Sequence, residues 1–168
     1  PRCFFEIRAG GYYLGRVVLE LKADTHPVTS ENFLKLCEYK CYAGTMFKVF
    51  PGNWIRGGDF TELDEVGGQS IYVTEDGGPY FADESFAIAH GGGPGVLTMY
   101  NPGAPDCNGS QFMITYPNVN PAALDGTHVA FGQVIEGWNV VAALEQLGDS
   151  RQEGDTFQRI TIERCGVV

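Results

Sequence analysis

The amino-acid sequence predicts a mainly β domain: a closed, eight-stranded antiparallel β-barrel capped by two α-helices. Two observations lead to this prediction. Short apolar runs separated by Gly, Pro, Asn and Asp recur along most of the chain, as they do in folds of many short strands and turns. Only two segments show the three- to four-residue spacing of amphipathic helices. Composition alone does not separate a barrel from a β-sandwich, so that alternative stays open here.

The first predicted element is a hairpin between Cys3 and Lys22. Apolar side chains alternate with other residues on either side of Gly10-Gly11, which indicates two strands with one buried face. A helix is predicted from Pro27 to Cys37, because its apolar residues have helical spacing and proline suits the first helical turn. Whether this helix extends to Tyr42 is left open.

The second half of the chain predicts further strands and one more helix. Apolar side chains recur at three-residue steps between Trp138 and Leu147, and Gly148 can end the helix predicted there. The predicted strands are Gly95–Tyr100, Gln111–Thr115, Val129–Val134 and Arg159–Cys165.

Length, charge and cysteine usage limit the classes of function. A chain of 168 residues is the size of one domain, which we assign to residues 1–168. The formal charge of −10 argues against binding to nucleic acid or anionic membranes, and no apolar run reaches the roughly 18 residues of a membrane helix. The five cysteines are odd in number and include no Cys-x-x-Cys pair, which favours a reducing compartment, cytoplasmic or nuclear.

Nine segments, in order along the chain, resemble the sequence motifs of the cyclophilins. The resemblance implies the barrel with two helices, peptidyl-prolyl cis-trans isomerase activity on Xaa–Pro bonds of peptides or proteins, and no cofactor or metal. We expect a monomer or a domain of a larger protein. The segments are Phe4–Ile7 with Leu14–Val17, Glu31–Phe33, Gly57–Phe60, Gly67–Tyr72, Phe81–Phe86, Pro94–Met99, Asn108–Phe112, Leu124–Gly132 and Ile160–Gly166.

The resemblance also implies where the proline-binding site lies. Gln111 and Asn101 match family residues that contact the peptide backbone, and Leu124 and His128 match one wall of the pocket. Isomerisation needs no covalent step, because a site has only to hold the proline and favour the twisted amide over both planar forms. A donor aimed at the prolyl nitrogen helps selectively, and the family uses an arginine guanidinium for this.

Several family positions in this pocket carry other residues. The loop after Phe47 is one residue shorter, so either Lys48 or Val49 takes the place of the catalytic arginine, depending on where the gap falls. Further replacements are Asn53 for a pocket Phe, Trp54 for Met, Arg56 for Gln, Met113 for Phe, Tyr100 for a small residue and Ala123 for Trp.

Two hypotheses follow from these departures. In the first, the chain is a divergent, weak isomerase in which Arg56, Lys48 and Gln111 are catalytic. The predicted substrate-binding residues are then Trp54, Tyr100, Asn101, Met113, Ala123, Leu124 and His128. In the second, the chain is a non-catalytic domain that binds proline-containing segments. Cyclosporin binding is predicted to be weak, because Ala123 lacks the indole N–H of the usual Trp.

Two other features have ordinary structural interpretations. Cys37 and Cys165 match a redox-sensitive pair of some plant and nematode cyclophilins, but buried thiols in a helix and a strand are the favoured interpretation. His90 is expected to be a packed structural histidine. Ser110 is not expected to be a nucleophile, since no nucleophile-elbow motif surrounds it.

Overall fold

The computed structural model of the chain describes residues 1–61, 67–72, 78–93 and 95–168. Within these ranges the chain forms eight strands, two α-helices and two short 3-10 helices, Pro121–Ala123 and Glu145–Leu147. The strands are β1 Arg2–Ala9, β2 Tyr12–Leu21, β3 Lys48–Phe50, β4 Trp54–Gly57, β5 Val96–Met99, β6 Phe112–Thr115, β7 Ala130–Glu136 and β8 Ile160–Val167. The α-helices are α1 Pro27–Glu38 and α2 Trp138–Leu144.

All eight strands belong to one antiparallel sheet in the order β3-β4-β6-β5-β7-β2-β1-β8. The segment just before β3 pairs with β8 and so joins the two edges of the sheet. The Gly44 N–H donates to the Ile162 carbonyl at 2.7 Å, and the Phe47 N–H donates to the Ile160 carbonyl at 2.9 Å. These bonds close the sheet into a barrel, which confirms the predicted fold class and removes the sandwich alternative.

An aromatic cluster fills the barrel, and α1 contributes to it. Phe33 of α1 lies 5.9 Å from Phe5, 5.3 Å from Phe112 and 5.5 Å from Phe131 between ring centroids. The contacts with Phe112 and Phe131 are edge-to-face, and such pairs add about 0.5–1.5 kcal/mol each beyond the area they bury. The helix is therefore fixed against the strands by the apolar side that its sequence spacing predicts.

Both helices differ slightly from the predictions. Helix α1 ends at Glu38 and does not reach Tyr42, because Lys40 adopts a left-handed conformation (φ 62°) that turns the chain. Helix α2 ends at Leu144 and continues as the 3-10 turn to Leu147. In the described part of the chain, no helix combines the length and apolar character that crossing a membrane would require.

Candidate functional site

The outward face of β3, β4 and β6 carries the residues that the sequence singles out. Neighbouring side chains of a strand point to opposite faces, and Val49, Ile55 and Phe112 are fully buried in the core. Their neighbours therefore face outward. The register places Lys48 opposite Arg56 and Arg56 opposite Met113, in one row across the sheet.

This register also separates the two candidates for the position of the family's arginine. Val49 is 0% exposed and belongs to the hydrophobic core. Lys48 is half-buried on the outward face and pairs with Arg56. Of the two residues, only Lys48 can therefore present its side chain to a ligand on this face.

The Arg56 guanidinium is held between aromatic rings. Its Cζ atom lies 4.6 Å from the centroid of the Tyr100 ring and 5.5 Å from that of Phe50, and the residue is only 7% exposed. Cation–π contacts contribute about 0.5–1 kcal/mol at exposed sites and about 2 kcal/mol or more when desolvated. The rings therefore help to fix the guanidinium and keep it out of bulk water.

A cavity of about 440 Å³ adjoins this row of residues. Its volume falls within the range of about 300–1,000 Å³ that is typical of small-ligand sites. Gln111 lies on the cavity wall, where its amide Nε2 donates to the Gly67 carbonyl at 3.0 Å. The described wall residues are Met46, Lys48, Arg56, Gly57, Asp59, Gln111 and Arg159.

Met113, the expected floor of a proline pocket, is covered in this structure. It is 1% exposed and forms an apolar cluster with Val119 and Leu124, against which Trp54 and Tyr100 pack. Trp54 and Tyr100 are themselves only half-buried. A ligand on this surface would meet the two aromatic side chains before it could reach Met113.

The predicted wall residue His128 extends the same surface. Its ring stacks on Tyr100 with centroids 6.3 Å apart and planes 23° apart. Its Nδ1 donates to the Met99 carbonyl at 3.0 Å. Burial lowers the pKa of His128 below its ordinary value, although the hydrogen bond to Met99 acts in the opposite direction. The imidazole is therefore neutral at physiological pH.

Of the predicted substrate-binding residues, Asn101 is buried and Ala123 is exposed. The Asn101 side chain is buried: Nδ2 donates to the Thr127 carbonyl at 3.0 Å, and Oδ1 accepts from the Gly103 N–H at 3.1 Å. These two bonds hold the loop after β5 in place and leave the side chain committed to the protein's own backbone. Ala123 is exposed in the 3-10 helix Pro121–Ala123, whose first turn is capped by Asn120.

Several residues near the site are missing from the sequence-based prediction, among them Phe50, Met46 and Arg159. Phe50 lies two residues beyond Lys48 on the same strand, so strand alternation could have placed it on the outward face. Met46 and Arg159 reach the cavity because the segment before β3 pairs with the start of β8. No local pattern in the sequence signals that long-range contact.

His90 forms an arrangement that superficially resembles a catalytic triad. Its Nδ1 lies 2.7 Å from Asp125 Oδ1, and its Nε2 lies 2.8 Å from Thr98 Oγ1. The hydrogen bonds from His90 lower the pKa of the Asp125 carboxyl. His90 and Thr98 are both buried, so no substrate could reach the hydroxyl. The expectation of a packed structural histidine is confirmed.

The cysteines show no disulfide, and Cys37 and Cys165 are buried free thiols as the favoured interpretation expected. The Cys165 thiol donates to the Cys37 carbonyl at 3.7 Å. Burial raises the pKa of the Cys37 thiol well above its ordinary value, which keeps it protonated and weakly nucleophilic. Among the residues that the structure describes, no three His, Cys, Asp or Glu side chains converge as a metal site would require.

Comparison with known families agrees with the fold. The family described as cyclophilin type peptidyl-prolyl cis-trans isomerase/CLD matches residues 4–167. The match spans all eight strands from within β1 to the end of β8. The chain therefore belongs to the cyclophilin-type peptidyl-prolyl cis-trans isomerase family.

Proposed function

We propose that this chain is a slow peptidyl-prolyl isomerase that acts on Xaa–Pro bonds at the outward face of β3, β4 and β6. The observation that carries the proposal is the position of Arg56. Its guanidinium is only 7% exposed, lies 4.6 Å from the Tyr100 ring and borders the cavity that Gln111 also lines. A positively charged donor is thus preorganised beside an apolar surface, the combination that the reaction needs.

The chemistry assigns a role to each of these groups. Rotation about a peptide bond faces a barrier of about 18–20 kcal/mol, because resonance is lost in the twisted amide. The prolyl nitrogen then regains its lone pair, which a guanidinium N–H of Arg56 could bind. Gln111 would hold the peptide backbone, and Lys48, opposite Arg56 in the register, would add positive charge. Lys48 lacks the planar fork of a guanidinium, so Arg56 is the stronger candidate for the donor.

The aromatic cover over Met113 explains why turnover would be slow. Trp54 and Tyr100 pack on the cluster that contains Met113, so the proline ring would rest on their faces and not in a deep hollow. A shallow platform buries less of the ring, and the ring is oriented less firmly when the amide twists. The structure therefore supports a weaker grip on the proline than an open pocket would provide.

The same observation favours a second candidate function, binding without useful catalysis. With Met113 only 1% exposed, the surface could hold a proline-containing segment without favouring the twisted amide. The partner would still contact Trp54, Tyr100 and His128. The two candidates differ in one measurable respect, the rate of cis-trans exchange in the bound peptide.

Exchange NMR spectroscopy on a short Ala-Pro peptide tests the proposal. The wild-type protein should raise the cis-trans exchange rate above that of the peptide alone, and Arg56→Gln should reduce the added rate by about 10²-fold, as expected for the loss of one preorganised donor. Arg164→Gln is the matched control, because Arg164 is exposed on β8 and pairs with Glu6. An unchanged rate in Arg56→Gln would remove Arg56 from the mechanism. If the wild-type protein does not accelerate exchange at all, the isomerase proposal fails and only the binding function remains.

A further inference from the structure

The ionisable side chains on the described part of the cavity wall are mostly cationic, although the protein as a whole is acidic. The chain has 11 Lys and Arg against 21 Asp and Glu. Yet three of the four ionisable side chains on the described part of the cavity wall are cationic, namely Lys48, Arg56 and Arg159, and the fourth is Asp59. Composition alone would predict an acidic wall. The pairing of β3 with β4 places Lys48 opposite Arg56, and the pairing of β8 with the segment before β3 adds Arg159.

The three cations lie next to the place where a peptide would bind at the proposed site. Arg56 borders both the Tyr100 ring and the cavity, so a peptide whose proline lies on Tyr100 has the cavity next to it. Lys48 lies opposite Arg56 in the register, and Arg159 directly precedes β8. Cations on the wall of a concave site attract an anion more strongly than cations on a flat surface, because the low-dielectric walls focus the field.

We infer that the cavity binds the carboxylate of an acidic side chain in the peptide, close to the Xaa–Pro bond. This inference rests on the proposed function and adds a substrate class to it. Arginine guanidinium groups can bind a carboxylate through two parallel hydrogen bonds, which gives geometric selectivity as well as affinity. The preferred peptides would therefore carry Glu or Asp within a few residues of the proline, in spite of the net charge of −10 on the protein.

A set of matched peptides tests the inference. Each peptide contains one Ala-Pro bond and a single Glu, Gln or Lys, placed either two residues before or two residues after that bond. Dissociation constants are measured by fluorescence anisotropy, and exchange rates by NMR spectroscopy. At one of the two positions the Glu peptide should bind about tenfold more tightly than its Gln counterpart. The preference should decrease as ionic strength rises from about 0.05 M to about 0.5 M.

Substitution of Arg159 tests the cavity without altering the proposed catalytic residues. The Arg159 side chain is exposed, and the contact with the hairpin uses its main-chain carbonyl, which accepts from the Gly10 N–H at 2.8 Å. Arg159→Gln should reduce the Glu-over-Gln preference to about threefold or less and leave affinity for the Gln peptide unchanged. Arg2→Gln is the matched control, because Arg2 lies on β1, away from the described wall, and should retain the full preference.

The outcomes distinguish this inference from the proposed function. Equal binding of the Glu and Gln peptides at both positions would overturn the acidic preference, while acceleration of the Gln peptide would still support the isomerase. An equal loss of the Glu-over-Gln preference in Arg159→Gln and Arg2→Gln would also overturn the inference. The preference would then depend on the overall charge of the protein and not on the cations of the cavity. If no peptide is bound or accelerated, both proposals fail together.

Discussion

Removal of the Tyr100 side chain should expose the floor of the proposed proline site. Tyr100 packs on the cluster that contains Met113, and its ring lies 4.6 Å from Arg56 Cζ. In Tyr100→Ala a proline ring could pack directly on Met113, while Phe50 remains as a second ring near the guanidinium, at 5.5 Å. We expect a faster but less stable enzyme.

The size of both effects can be worked out from these contacts. A half-buried tyrosine hides about 100 Å² of surface, worth about 2.5 kcal/mol at about 25 cal/mol per Å², and the lost cation–π contact adds up to about 1 kcal/mol. With some contribution retained by the alanine, a loss of about 2–3 kcal/mol should lower Tm by about 5–10 °C. One or two additional buried ring methylenes of proline, at about 0.8 kcal/mol each, should raise kcat/KM about fivefold.

The assay is exchange NMR spectroscopy at about 10 °C, where the variant is folded and uncatalysed exchange is slow. Tyr100→Phe is the matched control: it keeps the ring over Met113, so kcat/KM should stay close to the wild-type value. If Tyr100→Ala binds the peptide but leaves kcat/KM unchanged or lower, the aromatic cover does not limit turnover. That result would refute the proposal that the aromatic cover slows catalysis.

Three further predictions concern the edge of the site and the ionisable groups. Cyclosporin should not saturate the wild-type protein at about 1 µM. In a calorimetric titration Ala123→Trp should bind cyclosporin about 30-fold more tightly, because an aromatic anchor with a donor is worth about 2 kcal/mol. Equal affinities of the two proteins would refute the placement of Ala123. Because burial lowers the pKa of His128 in the folded protein, the unfolded chain protonates this histidine at a higher pH than the folded protein does. The free energy of unfolding should therefore decrease as the pH falls from about 7 towards 5. Urea denaturation should show a smaller decrease in His128→Asn, which can still donate to a carbonyl; an identical pH dependence would contradict that assignment. In the native protein a thiol reagent should label the half-buried Cys41 and Cys107 first. Mass spectrometry at early times should find the buried cysteines unmodified, namely Cys3, Cys37 and Cys165.

The sequence predicted the fold well because its signals are local and repeated. Alternation around Gly10-Gly11 indicates the first hairpin, and the structure forms it as β1 and β2. Spacing and a starting proline indicate α1, which begins at Pro27 as predicted. Both signals act within a few residues, so no long-range contact is needed to read them.

The sequence could not settle which residue takes the arginine position. The shortened loop leaves Lys48 and Val49 as alternatives, and a shift of one residue moves a side chain to the other face of a strand. Only the pairing of Lys48 with Arg56 across β3 and β4 shows that Lys48, and not Val49, lies on the outward face of the sheet. That pairing depends on where the turn between the strands falls, which the sequence pattern leaves ambiguous.

The character of the site was also beyond the reach of local patterns. Met113 was expected at the floor of the proline pocket, but whether that floor is accessible depends on the side chains of Trp54 and Tyr100, which come from distant segments. Likewise, Arg159 reaches the cavity only because the barrel closes between β8 and the segment before β3. Such features depend on side-chain packing after the strands have paired.

The most direct test of the central claim is to observe the Arg56 guanidinium itself. In a ¹H–¹⁵N spectrum, the Arg56 Nε–H signal is assigned by its loss in Arg56→Lys and then followed while an Ala-Pro peptide is added. We predict that this signal shifts with the same saturation curve as the backbone signals of Trp54 and Tyr100. A signal that stays fixed while the peptide saturates those neighbours would contradict a role for Arg56 at the prolyl bond.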